Sequence, residues 1–247
     1  MAELNDKASI HAIQSICIDS SPFWSATQGE EVPDPEDVSI LRWEASGVSD
    51  SNGARQSACW QVLEQPHRHL IASMAVSADL LEDESLALPA EQYEISARML
   101  PLPQDGMAIW KEFGRFVTAY TREGRLLHVT LLASPELNAD AVLELRDALL
   151  ALDAHEFLDR MSVVKVWTAC EPGFVSALSS TFSSSEVQTE PRPEPVAPAD
   201  YLNLVPMQVA LVRGEQQRRQ RLVQIATALA AVFVVVFASW AFLLWRQ

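Results

Sequence analysis

The run LVQIATALAAVFVVVFASWAFLLW, residues 222–245, contains no charged residue, and only Gln224, Thr227 and Ser239 interrupt its apolar character. Such a segment has no polar face to turn toward water, so it does not suit a surface helix of a globular domain. As a helix it would be roughly 36 Å long, enough to cross a ~30 Å hydrocarbon core with slight tilt. The sequence therefore predicts a single C-terminal transmembrane helix over 222–245. Arg213, Arg218, Arg219 and Arg221 precede the run, and Arg246 follows it. Positive charge is held on the cytoplasmic side, which places the preceding residues in the cytoplasm. Trp240 and Trp245 suit the aromatic belt at the far interface. The N-terminal MAELNDKASIH lacks the apolar core of a signal peptide, so the late span is expected to serve as the membrane address.

Charge divides the chain in the same way. Residues 1–200 hold 13 Lys+Arg against 32 Asp+Glu, a net of −19, whereas 201–247 hold 5 against 1, a net of +4. A part this acidic is repelled by nucleic acid and by anionic lipid, which leaves proteins or basic segments as its expected partners. Cys17, Cys59 and Cys170 are odd in number and widely spaced, which suits a reducing compartment and fits no zinc pattern.

Between 179 and 200 the chain reads SSTFSSSEVQTEPRPEPVAPAD, rich in Ser, Pro and Glu and poor in large apolar residues. Composition predicts a disordered linker there. The folded part is accordingly expected over 1–178, with the docking and juxtamembrane region over 201–221. Within the folded part, FVTAYTREGRLLHVTLLA (116–133) holds two β-rich runs around Arg122-Glu123-Gly124, a hairpin signal. The next segment, 134–152, suits a helix capped by Ser134 with Pro135 in its first turn, carrying Val142, Leu145, Leu149 and Leu152 at helical spacing. SVVKVWT (162–168) reads as a buried strand, and Glu171-Pro172-Gly173 leads into a short helix. Further strands are expected at 9–19, 38–43, 58–64, 69–76 and 91–100. The alternation predicts an α/β domain.

Few residues suggest chemistry. His67 and His69 share a strand face, but no further metal ligand is marked nearby. Ser162 and Lys165 match S-x-x-K, a nucleophile pattern that requires a helix; on a strand the two point to opposite faces. The eight glycines are all isolated, whereas phosphate cradles use glycine to let backbone N–H groups approach an anion.

The order strand, strand, helix, strand, helix in GRFVTAYTREGRLLHVTLL and VVKVWTACEPGFVSALSSTF resembles the second lobe of actin-like (RNase H-like) ATPase folds. More narrowly, it resembles the degenerate actin-like cytoplasmic domains of type II secretion system protein L and of the pilus assembly protein PilM. The resemblance implies two lobes, roughly 1–104 and 105–178. It also implies phosphate-binding loops at Asp19-Ser20-Ser21 and at Glu112 to Thr118, and an adenosine turn at Trp167-Thr168-Ala169-Cys170. All three loops depart from the nucleotide-binding pattern, with the bulky Arg115 in the second. The expectation is a scaffold with no cofactor and no enzymatic activity.

Tyr201-Leu202-Asn203-Leu204-Val205-Pro206, followed by arginines and the apolar run, resembles the N-L-L-P segment ahead of the span in L proteins and in PilN. In pilus systems that segment docks into a groove of PilM, so the resemblance makes Leu202, Asn203, Leu204, Val205 and Pro206 partner-docking residues. Val205 precedes proline and is biased toward extended backbone, which suits docking. Read without the resemblance, the same residues could simply open a membrane-proximal helix at Pro206. Ala226 with Ala230, and Thr227 with Ala231, offer small residues at fourfold spacing for a homodimer through the span. The expected role is an inner-membrane scaffold that links a cytoplasmic assembly ATPase to the membrane platform of a type II secretion or type IV pilus-like machine. The alternative is a single-pass regulator, anti-sigma-like or a receptor, whose cytoplasmic domain holds one protein partner. Chains of the L family continue past the span, and this one would be either a shortened or a tail-anchored form.

Overall fold

The computed structural model describes residues 10–13, 17–26, 55–77, 92–112, 114–199, 202 and 207–246. They fall into two compact units, Met1–Pro206 and Met207–Gln247. In the first unit the strands are β1 (Ile10–Ile13), β2 (Cys17–Ala26), β3 (Arg55–Gln65), β4 (Arg68–Ser77), β5 (Gln92–Ile95), β6 (Gly106–Glu112), β7 (Arg115–Arg122), β8 (Arg125–Leu131), β9 (Val163–Val166) and β10 (Glu186–Thr189). The helices are α1 (Ala139–Ala154) and α2 (Pro172–Thr181), and a 3-10 turn covers Ser96–Met99. The second unit is the helix α3 (Met207–Trp245).

The central sheet has the order β10-β9-β6-β7-β8. Strands β6, β7 and β8 form an antiparallel meander, while β9 and β10 lie parallel beyond β6. The strand–strand–helix–strand–helix order on which the actin-like resemblance rests is present as β7–β8–α1–β9–α2. Glu123 (φ 52) and Gly124 (φ 75) both take positive φ between β7 and β8. That conformation matches the right-handed twist of the flanking strands.

One face of this sheet carries Met107, Ile109, Tyr120, Val164 and Val166, which form a single core cluster with Val142 and Leu145 of α1 and Phe174 and Leu178 of α2. Each such side chain withdrawn from water contributes roughly 2 kcal/mol. The three-stranded sheet β2-β4-β3 joins the same cluster through Val62, Leu63, Leu70 and Ala72. It is pinned to the rest by Trp60, whose Nε1 donates to Leu126 O at 2.5 Å, and by Trp24, whose Nε1 donates to His155 O at 3.1 Å. Arg68 lies 4.0 Å above the Trp24 ring and pairs with Glu156 at 3.1 Å.

Several expectations need correction. Helix α1 begins at Ala139 rather than at Ser134: Asn138 is its N-cap, accepting from Ala141 N at 3.1 Å. The backbone amides of Ala133 and Ser134 instead donate to the Glu144 carboxylate at 2.6 and 3.3 Å, so this stretch satisfies its donors without becoming helical. The strand expected over 91–100 is cut to β5, and Ser96–Met99 forms the 3-10 turn. The strand expected at 38–43 lies outside the described residues.

The disorder expected over 179–200 is the largest departure. Residues 172–181 are helical, and β10 adds a parallel edge strand to β9, with Glu190 N donating to Val166 O at 3.1 Å. Sheet hydrogen bonds and the Lys165–Glu190 ion pair at 2.8 Å supply what the segment's own composition lacks.

The apolar run lies inside α3, where Leu222, Leu229, Phe233 and Val234 are all more than half exposed. Among the described residues no helix is long and apolar enough to cross a membrane. The described uncharged stretch, 222–234, spans about 20 Å; 235–243 complete the run in sequence but are described only as helical backbone.

Two predictions follow from the packing. At Gly106 a Cβ would lie 2.2 Å from Val163 O, so Gly106→Ala must break the β6–β9 contact. We expect a loss of about 2–4 kcal/mol in chemical denaturation. Tyr120 is fully buried and its hydroxyl donates to Leu145 O at 3.3 Å. Burial, with a smaller contribution from Glu144, pushes its pKa up. The unfolded phenol ionises near 10 while the folded one stays protonated, so stability falls as pH rises above about 10. Melting curves of the parent should show this alkaline loss, and those of Tyr120→Phe should show it reduced.

Candidate functional site

The face of the central sheet opposite the helices is covered by the chain itself. Ala108, Trp110 and Ala119 on this face are fully buried, and Trp110 packs on Trp167 with ring centroids 6.1 Å apart. The segment leading from β5 into β6 crosses here, and Thr121 holds its end by donating to Pro103 O at 2.8 Å.

Two buried carboxylates organise this region. Glu112 ends β6, and its Oε2 accepts from Ser96 Oγ at 2.7 Å and Trp110 Nε1 at 3.0 Å. Its other oxygen lies 3.8 Å from Arg192. Glu94 in β5 has no solvent exposure. Its Oε1 accepts from Ile95 N at 2.9 Å and lies 3.7 Å from Arg98, while its Oε2 accepts from Leu202 N at 2.9 Å. A carboxylate withdrawn from water needs such charged and N–H partners, since an uncompensated one costs several kcal/mol.

These bonds hold residues 190–199 and Leu202 against the domain as a strap. Arg192 is held by Glu112, Val196 N donates to Met99 O at 2.6 Å, and Leu202 N reaches Glu94. Beside the strap lies a groove of about 860 Å³, walled by Trp60, Leu100, Pro101 and Leu126, with Arg98 and Arg125 in its lining and Pro198, Ala199 and Leu202 along one side. Its aliphatic and aromatic walls suit an extended apolar segment, and Leu202 on its border is held by Glu94 through the main-chain N–H.

Leu202, the first of the expected docking residues, is therefore seated on its own domain. Asn203, Leu204, Val205 and Pro206 lie outside the described residues. Arg218, Arg219 and Arg221 are exposed on α3, as is Trp245, while the side chain of Trp240 is not among those described.

The positions that the actin-like resemblance assigns to nucleotide lie in different surroundings. The Glu112 carboxylate is held by Ser96, Trp110 and Arg192, and Thr118 is fully buried in the sheet. Thr168 and Cys170 line an open cavity together with Pro172, Val175 and Glu190, and burial pushes the Cys170 thiol pKa up. Asp19 falls in β2, but its side chain is not described. His67 is exposed in the β3–β4 turn while His69 is buried with Nδ1 3.4 Å from Gln61 Nε2, so the two rings do not share a site. Ser162 donates to Asp105 O at 2.6 Å and Lys165 pairs with Glu190, so these two residues serve different contacts. Among the described residues no group of three metal-ligating side chains occurs.

Sequence reasoning missed Glu94 altogether and treated Glu112 only as a degraded nucleotide ligand. The available signal was a lone Glu between Tyr93 and Ile95 in a β-rich stretch, since a carboxylate with apolar neighbours on a short strand needs a partner.

No family model matches the chain, and no curated protein sequence does. Solved structures similar to it include a PilM-PilN type IV pilus biogenesis complex, at 14% identity over 72% of this chain and 68% of that one, with a TM-score of 0.43. Another is the cytoplasmic domain of EpsL, an inner membrane component of the type II secretion system of Vibrio cholerae, at 12% identity over 78% and 69% of the two chains, with a TM-score of 0.38. A third is a Bacteroides thetaiotaomicron protein with an actin-like ATPase fold and unknown function, at 8% identity over 72% and 66%, with a TM-score of 0.34.

The Leu202 end of the strap is tied to Glu94, so Glu94→Leu should release Leu202 while placing an apolar side chain in β5. We expect amide exchange at Leu202 to accelerate about tenfold or more, with a stability loss of about 1–3 kcal/mol. Unchanged protection at Leu202 would show that the strap is held elsewhere.

Proposed function

We propose that the chain is a non-enzymatic inner-membrane scaffold of a type II secretion or type IV pilus-like machine, in which residues 202–206 dock into the domain's own groove. The observation that carries this reading is the capture of the Leu202 amide by the buried Glu94 carboxylate, at the start of the segment that resembles the N-L-L-P motif. In this reading the groove fixes the position of the docking segment, and the basic stretch with Arg218, Arg219 and Arg221 leads from it into a membrane span over 222–245. The exposure of apolar side chains along 222–234 supports a lipid or helical partner for that segment, because water is a poor solvent for a helix apolar on every side. The cytoplasmic domain then holds an assembly ATPase near the platform, and the engaged state of Glu112 supports a role without nucleotide.

The decisive variant is the full chain carrying Leu202→Ser, Leu204→Ser and Pro206→Gly. The domain should melt within a few degrees of the parent, while recovery of the assembly ATPase and platform subunits from native membranes drops about tenfold. Normal recovery with the triple variant would overturn the docking reading.

A further inference from the structure

Helix α1 carries a second surface, distinct from the groove at Glu94. Its buried side chains, Ala141, Val142, Leu145 and Leu152, face the core. On the outside, Leu143 and Leu150 are 47% and 55% exposed. They lie seven residues apart with Asp147 between them, and so fall on one helical face. Next to Leu150 the ends of α1 and α2 leave a cavity of about 300 Å³, lined by Leu149, Leu150, Leu158, Met161 and Phe182 with Asp153 at its edge. That volume accommodates an aliphatic or aromatic side chain from outside.

The charge around this surface is predominantly negative, although Arg160 also lies in the cavity lining. Residues 139–160 hold six carboxylates against two arginines, Arg146 and Arg160. Arg146 pairs with the neighbouring Asp147 at 3.2 Å, and Asp159 is taken by Arg122. Asp140 and Asp153 stay exposed beside the two leucines. We propose that this face of α1, with the adjoining α1–α2 cavity, docks a basic amphipathic helix of a partner protein. An apolar side chain of the partner would enter the cavity, and its Lys or Arg residues would meet Asp140, Asp147 and Asp153. Apolar anchors ringed by complementary charge supply affinity and orientation respectively. This goes beyond the scaffold reading, because it names the chemistry of a partner and a surface independent of residues 202–206.

The test uses the full chain in phosphatidylcholine nanodiscs and a fluorescent helical peptide of leucine and lysine, with the signal from empty discs subtracted. General attraction to an acidic protein and docking at this face give opposite responses to Leu150→Asp. The added negative charge tightens a purely electrostatic association, whereas loss of the apolar anchor weakens docking, here by about tenfold or more. Asp153→Lys should weaken binding about fivefold, while Glu64→Lys, the same charge change on β3, should alter it less than about twofold. Binding unchanged or tightened by Leu150→Asp, or equally reduced by Glu64→Lys, would overturn the proposal.

Discussion

The architecture of the first unit depends on two carboxylates held out of water, Glu112 at the end of β6 in the central sheet and Glu94 in β5. Glu94 and Glu112 each need cationic or N–H partners, and they obtain them both from neighbours such as Arg98 and Trp110 and from the distant Arg192 and Leu202. The requirement to compensate a buried charge thus becomes a way of fastening chain. Ser96 sits close to Glu94 in sequence and donates to Glu112, so the 3-10 turn is gripped from both ends. Arg192 and Leu202 N then tie down the strap.

The two faces of the sheet are stabilised by different physics. Toward the helices, packing is apolar and tolerates exchange among residues of similar volume. Toward the strap, Trp110 and Trp167 provide apolar area, but the geometry is set by hydrogen bonds to Glu112. Charge-assisted bonds of this kind are directional, and they specify where a segment lies more sharply than burial alone.

What was legible in the sequence was mostly local. The β7–β8 turn followed from Glu123-Gly124, because a two-residue loop with positive φ at both positions favours glycine. The core face of α1 followed from Val142, Leu145 and Leu152 at helical spacing. Its start did not, because Ser134-Pro135 is a plausible cap locally while Glu144, ten residues further on, takes the amide of Ser134. The ordered course of 186–199 was likewise hidden, since composition measures only what a segment buries by itself. Here the stabilising partners, β9, Glu112, Met99 and Glu94, all come from other parts of the chain.

By itself the sequence determined the α/β character of the domain, the helical spacing of α1, the acidic balance of 1–200 and the uncharged run at 222–245. These are properties of composition and periodicity, and they hold wherever the segments end up. Only the tertiary structure decided that Glu94 and Glu112 become buried, that a Ser/Pro/Glu-rich stretch becomes a strap, and that Leu202 is seated beside a groove of its own domain. A carboxylate's need for partners arises only once the fold has removed its water, and no local pattern records which distant groups will then supply them.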